Sequence, residues 1–243
     1  MTSQLIDSRE SHMKRVIQLA LPMAITQLIA MGSGFLCMTM LATLGHTVLA
    51  ASALIFSINM VILIGCASIL FSLSVLIGHA VGGKHFLQAG ELLQQGWMLA
   101  VILTLPVLLL FWYIYPILIH LGQDKTISFV VKDFFHANML RVLPFFISVC
   151  NQQICYATQK QKIDMIGNIL GVVVLLASAY VLILGHYGFP HLGVAGFAYA
   201  LTIQGWFYAI FTTLCLYFIP DFKKFELFQF RAHKKLEHFE KII

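Results

Sequence analysis

Gly78-His79-Ala80-Val81-Gly82-Gly83-Lys84 has the spacing of a phosphate-binding loop, in which backbone amides cradle an anion and a lysine reaches its outer oxygens. His85 stands where that chemistry needs Ser or Thr. An apolar run of helical length precedes Gly78 where the motif requires a strand, so the stretch reads as a short turn. No H-E-x-x-H, no G-x-S-x-G and no pair of carboxylates within an apolar run occurs, which leaves hydrolytic and metal chemistry without a constellation. The five cysteines, Cys37, Cys66, Cys150, Cys155 and Cys215, contain no C-x-x-C pair and read as buried, inert thiols. The ten histidines fall mostly in loops and at the ends of apolar runs. The residues therefore predict no enzyme, no catalytic group, no metal site and no cofactor.

The surrounding elements explain why. Hydrophobic residues make up 60% of the 243 positions and charged residues 10%, against about 25% charged in a soluble domain. Apolar runs span Val16–Leu44, Thr47–Gly78, Leu92–Ile119, Val142–Gln159, Met165–Gly185 and Leu192–Pro220. Each is close to or beyond the length needed to cross a bilayer core of about 30 Å as a helix. The fourth is interrupted by Asn151, Gln152 and Gln153 and preceded by His136 and Arg141; its span is extended back to about Phe134. Helices are preferred to barrel strands because the runs are continuous, not alternating, and because a helix satisfies its own backbone in lipid. The fold class is an all-α integral membrane protein, a bundle of six transmembrane helices. The first run is too long for a signal-peptide core and has no small-x-small cleavage site, so it counts as a span.

Charge sets orientation and boundaries. Arg9, Lys14 and Arg15 precede the first span, Lys84 follows the second, Lys160 and Lys162 follow the fourth, and Lys223, Lys224, Arg231, Lys234, Lys235 and Lys241 follow the sixth. Lys125, Lys132 and Arg141 fall on the other side. Basic residues of short loops stay cytoplasmic, so both termini are expected there, in a bacterial-type inner membrane. The net charge of +5 reflects that topology and attraction to anionic lipid, with no nucleic-acid partner. The chain divides into a cytoplasmic amino terminus, 1–15, a six-span region, 16–220, and a basic tail or linker, 221–243. The tail sets Phe222, Phe225, Phe228, Leu236 and Phe239 among charges; an amphipathic helix on the membrane surface and a solvated linker both fit. Pro22 and Pro144 lie inside helical runs, where each removes a backbone donor and favours a kink. The Gly- and Pro-rich stretch Gly185–Gly193 must bend sharply between the last two spans.

The intramembrane polar residues are Gln27, Ser33, Thr39, Asn59, Asn151, Gln152, Asn168, Ser178, Thr202 and Gln204. Most such groups hydrogen-bond between helices. Gln27, Asn151 and Gln204 are the candidates for lining a substrate cavity, which needs only a few convergent polar groups. Gly32, Gly34, Gly193 and Gly196 suit close backbone packing. None of the ten Asp and Glu residues lies in the middle of a span.

Pro22 through Gly45, Gly78 through Gly96, and Gly185 through Leu201 (GHYGFPHLGVAGFAYAL) resemble, in order, span signatures of the multidrug and toxic compound extrusion (MATE) transporters. The G-x-x-G-x-P-x-x-G-x-A-G pattern of the last stretch is the most specific. The resemblance covers nearly the whole chain and implies the amino-terminal half of a transporter built from two six-span lobes, with a cavity between them that opens to each side alternately. It also implies a departure. Prokaryotic members commonly carry an Asp in the first span, at the position of Cys37 here, and polar or acidic residues in the fifth span, at Leu175 and Ala179 here, associated with H+ or Na+ binding. A thiol is a poor substitute for a carboxylate as a proton carrier or sodium ligand, so this lobe is expected to lack the usual cation site.

The resemblance thus implies a multidrug efflux lobe that exports organic cations and other xenobiotics by cation-coupled antiport. Its partners would be membrane lipids, small organic cations, and a second lobe or a second copy of itself. The rival expectation is a truncated or decayed half that binds membrane partners only, or has no function.

Overall fold

The computed structural model describes residues 21, 24–43, 45–185 and 192–227. Pro22, the tip of the Gly185–Gly193 turn, residues 1–20 and the tail beyond Leu227 lie outside the described residues, and with them the kink expected at Pro22. Among the described residues eight helices follow in order: α1 Ala24–Ala42, α2 His46–Gly82, α3 Phe86–Trp112, α4 Ile114–His120, α5 Lys125–Ala157, α6 Gln161–Leu184, α7 Gly193–Phe218 and α8 Pro220–Lys223. No strand occurs among the described residues.

Five of these, α1, α2, α3, α6 and α7, are long and apolar enough to cross a membrane. Their outward faces carry Phe35, Val61, Leu105, Val173 and Phe218, each more than half exposed, a distribution that suits lipid and not water. The sixth long helix, α5, has 33 residues. It is less apolar because it is surrounded by protein: it packs along α2, α3 and α7, and half of its surface positions, from Ser128 to Cys155, are buried. A helix shielded by its neighbours needs no continuous hydrocarbon coat. This explains why the fourth apolar run is the least clean of the six. The run starts late in the sequence but the helix does not. Asp124 caps it, its carboxylate accepting from the amides of Thr126 (2.8 Å) and Ile127 (3.3 Å), and those amides hold the carboxyl below its ordinary range. An acid at such an N-cap is a standard helix start.

Two prolines shape the bundle by freeing carbonyls. Pro144 lies within α5 and cannot donate to the carbonyl of Leu140; the Trp206 indole of α7 donates to it instead, at 3.1 Å. Pro116 similarly frees the carbonyl of Trp112, and the third run, read from sequence as a single span, breaks at Tyr113 into α3 and α4. His136 stacks on Trp112, with Nε2 3.5 Å from that carbonyl.

The turn after α2 occupies Gly83, Lys84 and His85, with Lys84 left-handed at φ 61°. No strand leads into it, so the phosphate-loop spacing is incidental. The same end of the bundle receives α8. Phe222, Phe225 and Leu227 are buried there, the Gln94 amide donates to the Leu227 carbonyl at 2.8 Å, Lys224 sits 4.4 Å over the Phe86 ring, and Lys160 pairs with Asp221. Gly90 makes the approach possible, because a β-carbon there would run into the Phe225 carbonyl. The apolar residues of this first part of the tail are thus covered by protein. All five cysteines are free thiols.

Candidate functional site

Polar side chains are rare in this bundle, so the places where they meet are few. Several involve α5, the helix that touches the largest number of neighbours.

Asn151 is fully buried. Its Oδ1 accepts from the Trp97 indole of α3 at 2.9 Å, and its Nδ2 donates to Thr212 and Thr213 of α7 at 3.1 and 2.9 Å. Both amide hydrogens and the carbonyl are committed to joining three helices. Asn59 of α2 accepts from Asn138 of α5 at 3.3 Å. Gln204 is partly buried on α7 and packs on Gly171 of α6, where a β-carbon would lie 3.5 Å from its Nε2. Gln27 is exposed on α1. The three cavity candidates therefore occupy different surroundings, one buried, one partly buried and one exposed. Cys37, Leu175 and Ala179 are all buried at 4% exposure or less, within one apolar core. Leu175 and Ala179 continue a stripe of α6 positions, Asp164, Gly167, Gly171, Leu175, Ala179 and Ile183, that are all buried.

Two ionisable groups were not expected in the interior. Asp164, in the first turn of α6, is 1% exposed. Its Oδ1 accepts from Gln152 at 3.1 Å, from Asn168 at 3.3 Å and from the Tyr208 hydroxyl; its Oδ2 accepts from the Tyr156 hydroxyl at 3.0 Å. Asn168 also donates to the Tyr208 oxygen at 3.2 Å. Four neutral donors from α5, α6 and α7 thus surround one carboxylate. A buried carboxylate is tolerable only when its lone pairs are filled in this way. The sequence signal was present: Asp164 and Asn168 are four residues apart, on one face of a helix. The apolar run begins at Met165 whereas the helix begins one turn earlier, at Gln161, so the run alone does not reveal it.

The second group is Arg141, which charge counting placed on the outer side of the bundle. The structure corrects this: Arg141 lies midway along α5, about 24 Å from each end by helical rise. The extension of the fourth span back to about Phe134 already places Arg141 within it, and the Asp124 cap puts it at the midpoint. The arginine stem crosses bare backbone, since a β-carbon on Gly205 of α7 would lie 3.3 Å from its Cγ. Its guanidinium carbon is 5.7 Å from the centre of the Phe145 ring, within cation–π range. Its Nε is buried without a hydrogen-bond partner among the described residues, and so is Oδ1 of Asn138, one turn earlier on the same helix. No carboxylate lies beside the guanidinium among those residues. An arginine at this depth costs at least about 2.5 to 3.5 kcal/mol on insertion scales.

Comparison with known proteins places these features in a known fold. The MatE family model matches residues 22–181. The probable multidrug resistance protein NorM of Bacillus cereus is 27% identical over 218 residues, covering 89% of this chain and 48% of that protein. A second NorM, from Halalkalibacterium halodurans, is 23% identical and covered over 50% of its length. The chain spans about half the length of the curated relatives it matches. The eukaryotic MATE transporter AtDTX14 superposes with a TM-score of 0.82 at 19% identity, over 95% of this chain and 50% of that one; this likeness establishes the fold.

Proposed function

Because the chain belongs to the MatE family, we propose that it acts as one six-helix lobe of a multidrug exporter, moving amphipathic organic cations out of the cell by alternating access. The observation that carries this reading is the pairing of near-complete coverage of this chain with half coverage of its relatives. A six-helix lobe supplies one wall of a two-walled cavity. A second lobe, from a continuous chain, another chain or a second copy, supplies the other. The membrane is a bacterial-type inner membrane with both termini cytoplasmic, and the basic residues Lys84, Lys160, Lys162, Lys223 and Lys224 at the α2–α3 end support that orientation.

Export is coupled to entry of H+ or Na+. In this lobe the positions of the family's amino-terminal cation site are Cys37, Leu175 and Ala179, none of which is a carboxylate, so coupling uses another group of this lobe or the second lobe. Restoring an acid tests this. In an actively exporting assembly, Cys37→Asp is expected to make efflux depend more steeply on pH or on the sodium gradient, by up to about tenfold per pH unit for a single titrating proton. Unchanged dependence would count against Cys37 as the site position.

The export reading itself is tested in cells stripped of their own exporters. Ethidium efflux is followed for the chain alone and for the chain joined to a MatE carboxy-terminal lobe. Energy-dependent efflux by either supports it. Absence of efflux from both, with both inserted in the membrane, would reject it in favour of a lobe that binds membrane partners only.

A further inference from the structure

Asp164 enters no step of the export reading, yet among the described residues it is the one acid in the buried interior. Hydrogen bonds from Gln152, Tyr156, Asn168 and Tyr208 fill the lone pairs of its carboxylate. They do not cancel its charge, because all four donors are neutral. No lysine, arginine or histidine among the described residues lies within ion-pairing distance of it. Lys162, two residues away, is exposed, and Lys160 is held by Asp221. The amino end of α6 offsets part of the charge, but a carboxylate only 1% exposed is ordinarily paired with a cation or bound to a metal ion.

We propose that Asp164, Gln152, Tyr156, Asn168 and Tyr208 form a sodium-binding site that locks α5, α6 and α7 together at the end of the bundle that receives α8. Besides the two carboxylate oxygens, the shell holds the carbonyl oxygens of Gln152 and Asn168 and the hydroxyl oxygens of Tyr156 and Tyr208. The two carboxamide oxygens accept no hydrogen bond among the described residues. A half-turn of each carboxamide exchanges its nitrogen for its oxygen, and each phenol keeps donating to the carboxylate while its own oxygen faces the ion. A single carboxylate among neutral oxygens balances one positive charge, whereas calcium sites usually gather several carboxylates. Size follows from spacing. Contacts to the carboxylate oxygens run from 3.0 to 3.3 Å. Adjacent corners of an octahedral shell stand about 1.4 metal–oxygen distances apart, so a shell of this width fits bonds of about 2.1–2.3 Å. That suits sodium and is too tight for potassium. The site stands roughly 17 and 23 Å along α6 from Leu175 and Ala179, separate from the positions of the family's cation site. It does not depend on the export reading, because a resident ion here acts on stability and not on the transport cycle.

The test measures binding of radiolabelled Na+ to the chain in detergent micelles, at fixed pH and with choline chloride holding the ionic strength. Each chain is first shown to be folded by its helical circular dichroism. The wild-type chain is expected to bind one Na+ saturably, with Li+ competing well and K+ weakly. Asp164→Asn is expected to abolish binding. Gln152→Met removes one ligand while keeping the length of the side chain, and is expected to weaken binding about tenfold or more. Melting gives a second reading that needs no variant. At sodium a hundredfold above the dissociation constant, the wild-type melting temperature should stand about 5 °C or more above its value in choline. Absence of saturable Na+ binding by the folded wild-type chain overturns the proposal. So do binding retained by folded Asp164→Asn, equal competition by K+, and a melting temperature that follows pH and ignores sodium. None of these outcomes touches the export reading, which ethidium efflux tests by itself.

Discussion

Asp164→Leu is expected to destabilise the α5–α6–α7 end of the bundle by about 3–5 kcal/mol, the usual cost of removing one partner from a buried charged set. Leucine keeps the branching at Cγ but is larger, so overpacking adds to the loss. The further damage lies in what remains. Gln152, Tyr156, Asn168 and Tyr208 all donate to this carboxylate; Tyr208 is buried and the other three are partly buried. Each orphaned donor costs about 1–3 kcal/mol if left unmade, and local rearrangement recovers part of the sum. Asp164→Asn is expected to cost roughly half as much, since its one carbonyl still accepts while its amide opposes the donors. Cys155 provides the readout. It is 1% exposed on the α5 face beside Asp164, so thermal unfolding in detergent, followed by its reaction with a thiol-reactive dye, should move to lower temperature in the order wild type, Asn, Leu. A Leu variant that melts with the wild type would show that the four contacts contribute nothing net.

Gly196→Val is expected to cost about 2–3 kcal/mol and to separate α6 from α7. A β-carbon at Gly196 would enter the carbonyl group of Leu182 and lie 3.1 Å from the Leu192 β-carbon. That carbonyl also accepts from the Leu192 amide at 3.2 Å, which fixes the chain where it enters α7. Backbone cannot swing aside as a flexible side chain can, so the clash must move a helix; overpacking of this kind typically costs about 1–3 kcal/mol. Gly171→Ala is the matched control. Its β-carbon would meet only the Gln204 side chain, at 3.5 Å, an ordinary contact. It is expected to leave stability unchanged or to raise it by up to about 1 kcal/mol through helix propensity. The two melting curves measured together check the claim, and equal effects of both substitutions would defeat it.

Composition and apolar runs alone determined that this is a helical membrane protein, because lipid leaves a chain of such hydrophobicity no alternative that satisfies its backbone. The sequence also determined the order of the long helices, the turn at Gly83–His85 and the family, since small residues recur at the fixed spacing G-x-x-G-x-P-x-x-G-x-A-G. The packing role expected of Gly196 was legible too, for a glycine within a helix has few other uses. What only the tertiary structure decided concerns the polar residues. An apolar run marks where lipid touches a helix, not where the helix begins, so α5 and α6 start before their runs and carry Arg141 and Asp164 inward with them. Asn151 looked like a cavity residue, yet its amide is spent on Trp97, Thr212 and Thr213. Whether a buried polar group is spent or free depends on partners tens of residues away, and the order of residues along one helix carries no record of them.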